Sequence, residues 1–360
     1  MTRTSTLKPV SFSDIAGWAH DDHYLAHAAF CRSASEILQH GQGFKRASLY
    51  GGDRSDWLEL CRKALTAKNP KEFFEVEFQA VVVDEESESL FTGYYEPQAQ
   101  GSLMPTEEFC VPLYAKPPEL VAFNQAERDA TGLSYGSRNF GAKAYFSRQE
   151  IEQGALSGRG LEICYLKSWE DAYFIHIQGN GRIVLGNGKS LRLSFAAKNG
   201  HAYKSIGRVL LDQGIGTPQT MSMQFLKEWM SANPHAAREL MFENPSFIFF
   251  TATDQIDPQL GAIGAAKVPL TPLRSIAVDR SIWAFGTPLF VATHLPPVSG
   301  GGEFSHLMIA QDTGSAIKGV VRGDIYWGWG PEAEACAGHM NQPGQIIALL
   351  PKPLAKRLTQ

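Results

Sequence analysis

Two aspartates in one short stretch are the residues best suited to chemistry. In LMIAQDTGSAIKGVVRGDIYWGW, residues 307–329, Asp312 and Asp324 lie twelve positions apart. The apolar run Leu307 to Ala310 predicts a buried strand that delivers Asp312 onto Thr313-Gly314. Val320 to Trp327 predicts a second strand, with Asp324 among alternating apolar and polar positions. Two carboxyl groups on adjacent short strands, beside glycines and aromatic rings, suit proton transfer on a sugar. The alternative is two Asx turns on a β-rich surface, each aspartate fixing only its own backbone.

The elements that must position this pair belong to a chain of 360 residues, long enough for two domains and a large core. Hydrophobic residues make up 44% and charged residues 19%, as in a well-folded protein. A net charge of −4 without a Lys/Arg cluster argues against a nucleic-acid partner. The 34 glycines, 20 prolines and 11% aromatic content imply many tight turns and rings able to stack on carbohydrate. Five cysteines without a CxxC pair exclude a zinc ribbon and, being odd in number, argue against a complete disulfide framework; most are expected to be buried thiols. The opening MTRTSTLKPVSFSDIAGW has no apolar h-region, lipobox or cleavage site, and no stretch is apolar enough to span a bilayer.

In chain order, residues 1–12 read as a loose arm and His23 to Gln39 as a helix with Leu25, Ala28, Phe30, Ala34 and Leu38 inward. A helix from Ser55 stops at Asn69-Pro70, and Phe74 to Gln79 alternates as a strand. Leu90 to Pro97 is a second strand, in which Gly93 permits close approach of a ligand or another backbone. Prolines at 105, 112, 117 and 118 mark a crossing into another unit. Ser147 to Glu150 is a capping box, Tyr173 to Gln178 a strand, and Arg182 to Ala196 a hairpin around Gly186-Asn187-Gly188. Thr217-Pro218 predicts a helix start, and from Ser246 the chain reads as β-rich, with one late helix at Gly330. The loop QGNG lacks Gly-Lys-Ser/Thr and GNGK is the turn of a hairpin, which excludes nucleotide binding. Asp312-Thr313-Gly314 occurs once, whereas an aspartic protease needs two such loops sharing a proton. Arg322-Gly323-Asp324 lies inside a predicted strand, which makes an adhesion tripeptide a coincidence.

Seven stretches, in order over residues 75–350, together resemble one family. They are FTGYYEP (91–97), YFIHIQGNG (173–181), AAKNGHAYKSIG (196–207), NPSFIFF (244–250), SIAVDRSIWAFGTPLF (275–290), QDTGSAIKG (311–319) and RGDIYWGWGPEA (322–333). The chain is similar to the lytic murein transglycosylase A (MltA) family. The last three stretches also resemble the 3D module, named for three aspartates that fall here on Asp279, Asp312 and Asp324. The resemblance implies a mainly β protein with peripheral helices. A double-psi β-barrel would be built from residues 1–105 and 244–360, with the 3D module at about 270–350. A second β-rich domain, 106–243, would be inserted into it, leaving a groove between them.

The resemblance also implies peptidoglycan glycan strands as substrate, other cell-wall enzymes as partners, and a periplasmic or outer-membrane-associated location. Asp324 would be the single general acid and base. Its burial among Ile325, Tyr326 and Trp327 and the like charge of Asp312 would raise its pKa. Asp312 would stabilise positive charge in the transition state or fix its own turn, and Asp279 would be structural. Thr92, Gly93, Tyr94, Gln178, Gly179, Asn180, Lys198, His201 and Lys318 are the candidate substrate contacts. For Gln178, Asn180, Lys198 and His201 a loop-stabilising hydrogen bond explains the residue equally well, and Lys318 could instead orient an aspartate or lie at the surface. His201 has no partner at metal-ligand spacing, so neither metal nor cofactor is expected. A lysozyme-like hydrolase and a non-catalytic wall-binding module are the competing readings.

Overall fold

The structure, a computed structural model, describes all residues except 1–5, 85–88, 138, 140, 142, 219, 255, 256, 258 and 360. The chain divides into two compact units, Met1–Tyr95 with Pro258–Gln360, and Glu96–Asp257.

The first unit holds a nine-stranded mixed sheet. Its spatial order is Thr6–Val10, Phe78–Asp84, Gly344–Pro351, Pro288–His294, Glu303–Asp312, Ser275–Val278, Arg322–Trp329, Leu90–Glu96 and Asn341–Gln342. The sheet is mixed, and among the described residues no ladder joins the two ends of this order. Ser275–Val278 runs parallel to Glu303–Asp312 and antiparallel to Arg322–Trp329. Three helices, His23–Gln39, Ser55–Ala64 and Pro70–Glu77, supply Phe30, Trp57 and Phe74 to the core these strands cover.

Several expectations for this unit change. Residues 6–10 of the expected loose arm form a strand paired with Phe78–Asp84; residues 1–5 lie outside the described residues. Phe74 to Glu77 are helical, because Asn69 accepts the Glu72 N–H as an N-cap and Pro70 occupies the first turn; the strand starts only at Phe78. The first helix buries Ala26, Ala29, Phe30, Ser33, Ala34 and Ile37, so its inward stripe is rotated from the expected one and Leu25 faces solvent. A second late helix, Lys352–Leu358, follows Gly330–His339. Only Cys61 and Cys164 of the cysteines are buried; Cys31 and Cys336 are half-buried and Cys110 is exposed.

The second unit holds a six-stranded sheet ordered Ile248–Thr253, Ser190–Lys198, Asn180–Leu185, Gln98–Ser102, Glu162–Leu166 and Val111–Tyr114. A two-stranded ribbon, Leu120–Ala122 with Tyr135–Ser137, stands beside it in the same unit. The expected hairpin and the Ser147–Glu150 capping box are both present. The expected strand at Tyr173–Gln178 is instead the end of a helix, Trp169–Gln178, capped by Ser168 and closed by Gly179 in the left-handed region. The helix expected at Pro218 starts at Met223, where the Ser222 side chain accepts the Phe225 N–H. Arg148 is fully buried and anchors this unit: it donates to the carbonyls of Asn244 and Ser246 and to Glu152, and lies over the Tyr173 ring.

Candidate active site

Asp312 and Asp324 are brought together by the short strand Ser275–Val278 between them. Ala277 is the register partner of both, parallel to Asp312 and antiparallel to Asp324. Two interstrand spacings put the aspartate Cα atoms about 10 Å apart. A bulge produces this alignment: Ile276 pairs with Ala310 and Ala277 with Asp312, which leaves Gln311 as the extra residue. Gln311 is fully buried, accepts from Ser275 Oγ at 2.5 Å and donates to Ala29 O and Ser33 Oγ. Its bonds to the first helix hold the bulge in place.

Asp324 is half-buried on Arg322–Trp329. Thr92 Oγ1 donates to its Oδ1 at 2.6 Å, and Arg322 Nη2 donates to the same hydroxyl at 2.8 Å. Burial pushes the Asp324 carboxyl up to about 6; the Thr92 hydroxyl and the Arg322 charge pull it down, and Asp312 pushes it up. A carboxyl near 6 is part protonated, part ionised around neutrality, as an acid that must later serve as a base requires.

Asp312 has both oxygens engaged. Oδ1 accepts the N–H groups of Ala265 at 3.0 Å and Thr313 at 2.9 Å, and Oδ2 accepts Tyr94 Oη at 3.1 Å. Burial raises its pKa, while these donors and the nearby Lys267 hold it down. Lys267, exposed, sits in the left-handed region at φ 64° in a turn fastened by Ala265 to Asp312 and by Ala266 to the Gln311 carbonyl.

Thr92, Gly93 and Tyr94 thus arrive on one strand, and alternation sends Thr92 and Tyr94 to the same face. Gly93 faces the other way. A Cβ there would meet Trp327 Nε1 at 2.5 Å and Ala337 Cα at 2.7 Å, so its close approach is to the protein's own helix Gly330–His339. Asp279 accepts from Ser281 N and Oγ and from Gly319 N, and Lys318 pairs with it at 3.6 Å. Lys318 therefore addresses Asp279 rather than the two flanking aspartates. These donors outweigh burial and lower the Asp279 pKa.

In the second unit, Gln178 ends the helix, Gly179 makes the turn at φ 70°, and Asn180 opens the next strand opposite Ser194. Asn180 is buried; its Nδ2 donates to the Gln178 carbonyl, and its Oδ1 has no hydrogen-bond partner among the described residues. Lys198 is half-buried opposite Ile248, and burial lowers its pKa. His201 is tied into its loop: Nε2 lies 2.8 Å from the Tyr145 carbonyl and its N–H donates to Asn199 Oδ1. Asn199, fully buried, also accepts from Phe247 N and donates to the carbonyls of Phe146 and Pro245.

Sequence reasoning missed Arg322 and the Ala265 amide. Arg322 was visible as a residue two before Asp324 on one strand, hence on the same face. The amide reaches Asp312 from a turn 47 residues away and leaves no signal in sequence.

Comparison with known proteins completes this description. Residues 90–251 match the MltA specific insert domain and residues 274–350 match the 3D domain. The chain is 36% identical over 304 residues to membrane-bound lytic murein transglycosylase A of Escherichia coli (strain K12), covering 82% of this chain and 74% of that protein. It is 35% identical over 271 residues to the Vibrio cholerae protein of the same name, covering 74% of this chain and 66% of the relative's length. Among solved structures, the membrane-bound lytic murein transglycosylase from Agrobacterium tumefaciens superposes with a TM-score of 0.88 at 34% identity, over 98% of this chain and 99% of that one. E. coli MltA with bound chitohexaose superposes with a TM-score of 0.67 at 31% identity, over 90% and 89%. By sequence and by fold, the chain belongs to the membrane-bound lytic murein transglycosylase A family.

Proposed function

We propose that this chain is a peptidoglycan lytic transglycosylase that cleaves the bond from N-acetylmuramic acid to N-acetylglucosamine, with Asp324 as its single general acid and base. The observation that carries the reading is Asp324: a half-buried carboxyl with a pKa of about 6, fixed through Oδ1 by Thr92. In the first step protonated Asp324 gives its proton to the glycosidic oxygen as the C1–O bond breaks. In the second, the muramyl 6-hydroxyl attacks its own C1 and Asp324 takes the hydroxyl proton, which restores the acid and closes a 1,6-anhydro ring. No water enters either product. The engagement of both Asp312 oxygens supports this over hydrolysis, which needs a second carboxylate free to hold a water. Asp312 then contributes negative charge towards the oxocarbenium-like centre, and Asp279 holds the turns at Ser281 and Gly319.

The family relationship supports further parts of the reading. We take the nine-stranded sheet as the double-psi β-barrel of the family and the unit Glu96–Asp257, wider than the expected 106–243, as the inserted domain. Gln178, Gly179, Asn180, Lys198 and His201 remain proposed sugar contacts, and Asn180, with its unpartnered buried oxygen, has the firmest support. The family relationship supports a location at the cell wall, in the periplasm or at the outer membrane. No helix among the described residues is long and apolar enough to cross a membrane.

The test is the product. Purified murein digested in heavy-oxygen water should release muramyl ends that are unlabelled and about one water (~18 Da) lighter than reducing ends by mass spectrometry. Labelled reducing ends would establish a lysozyme-like hydrolase on this fold, and no released sugar would leave a wall-binding module.

A further inference from the structure

Thr92 entered as a candidate sugar contact, and its surroundings point elsewhere. Its hydroxyl sits between a guanidinium and a carboxylate. Arg322 Nη2 is 2.8 Å from Thr92 Oγ1 and, having no lone pair to offer, can only donate. The hydroxyl hydrogen must therefore point away from Arg322, and Asp324 Oδ1 lies 2.6 Å off on that side. Arg322 is itself held by the carbonyls of Gly323 and Leu90 through Nη1. The direction of this chain of hydrogen bonds is fixed: guanidinium to hydroxyl, hydroxyl to carboxyl.

The geometry points to Thr92 and Arg322 as positioning residues that occupy Oδ1 of Asp324 and reserve Oδ2 as the oxygen that gives and takes the substrate proton. This inference rests on the proposed role of Asp324 as acid and base. A proton placed on Oδ1 would face the Thr92 hydroxyl hydrogen head-on, so the neutral acid carries its proton on Oδ2. Among the described residues no hydrogen-bond partner reaches Oδ2. When the proton has gone, the same two residues stabilise the carboxylate without turning it, so Oδ2 stays aimed for the return of the O6 proton. A donor to the ionised form also limits how far burial can raise the pKa. The charged and titratable groups around Asp324 are Arg322 on its own strand, Asp312 beyond Ala277, and Tyr94 beside Thr92.

The test titrates the Asp324 carboxyl by carbon-13 NMR in the full-length protein, its signal assigned by its loss in Asp324→Asn. Parallel measurements of kcat/KM against pH use soluble glycan chains. Thr92→Val keeps the shape and removes the hydroxyl; Thr92→Ser keeps the hydroxyl; Arg322→Gln leaves Thr92 intact and removes the cation. Thr92→Val and Arg322→Gln should each move the midpoint up by about one pH unit, the scale of one hydrogen bond to a charged group, and Thr92→Ser should leave it in place. The falling limb of kcat/KM should move with the midpoint. An unmoved midpoint in folded Thr92→Val and Arg322→Gln overturns the inference, even if activity falls, because it returns Thr92 to a sugar contact or a packing role. A midpoint that moves while the falling limb stays supports the two positioning bonds and overturns Asp324 as the acid, so the two failures are told apart.

Discussion

Asp312 and Asp324 oppose the same residue, Ala277, from its two sides in the sheet, and yet their hydrogen bonds differ in kind. Asp312 accepts from two backbone amides and a phenol, whereas Asp324 accepts from one hydroxyl. The first is clamped through both oxygens and the second through one. That difference separates their expected roles and gives each variant its own signature.

Asp324→Asn should fold normally and lose activity by roughly 10²–10⁴-fold, since the amide keeps the Thr92 bond but has no acidic proton. It should also be more stable than the parent above pH 7. The folded pKa of about 6 lies above the reference value of 3.8, so the stability this carboxyl lends at low pH is lost as pH rises through about 6. The gain at pH 8, read by denaturant unfolding, should be on the order of 1–2 kcal/mol. A variant that is equally active, or less stable at pH 8, would count against the assigned role and environment.

The pH dependence of the parent follows from the same group. In the proposed mechanism the reactive form is protonated, so kcat/KM should be level below about pH 5 and fall tenfold per unit above about pH 6. A rate that rises through pH 6 would mean that the ionised form acts first, as a nucleophile or a base on water.

Asp312→Asn keeps an oxygen for the Ala265 and Thr313 amides and removes the charge. It should cost activity about tenfold, less than Asp324→Asn. Because a neighbouring negative charge is gone, the falling limb should shift to lower pH. Complete loss of activity in a folded variant would exchange the roles of the two aspartates.

Gly93→Ala should lower stability by roughly 1–3 kcal/mol, because the added methyl meets Trp327 and the Ala337 backbone, neither of which can move aside cheaply. Thermal unfolding reads this directly. A neutral substitution would mean that helix Gly330–His339 is free to retreat from the strand.

What could be read in the sequence was what local pattern dictates. The strands around Asp312 and Asp324 show as an apolar run and an alternation, and the Ser147 capping box states its own geometry. The errors have one physical source, in that a short apolar or alternating run carries no unique period. Tyr173 to His176 are all buried, so strand and helix predict the same apolar run, and the deciding signals were Ser168 in front and Gly179 behind. Asn-Pro is equally ambiguous: it starts a helix at Asn69-Pro70 and at Asn233-Pro234, and follows one at Asn244-Pro245. At the site, the two aspartates were legible as a pair, but their strands are not adjacent as expected: Ser275–Val278 separates them, and neither it, the bulge at Gln311 nor the amide of Ala265 was legible. All three depend on which distant backbone packs there.

The sheet that carries the site is assembled from both ends of the chain. Val82 pairs with Ile347, and Thr92 meets Asp324 across 232 residues of sequence. Contacts of such separation form late in folding, since a long loop must be closed before any of them repays its entropy. During synthesis Thr92 leaves the ribosome long before Asp324 exists, and the strand Gly344–Pro351, which lies between Phe78–Asp84 and Pro288–His294, is made later still. The Asp324 carboxyl therefore acquires its environment only once strands 232 residues apart in sequence have met. A copy that stops before Arg322 lacks the Asp324 carboxyl and the strand that carries it, however well the Thr92 strand has formed.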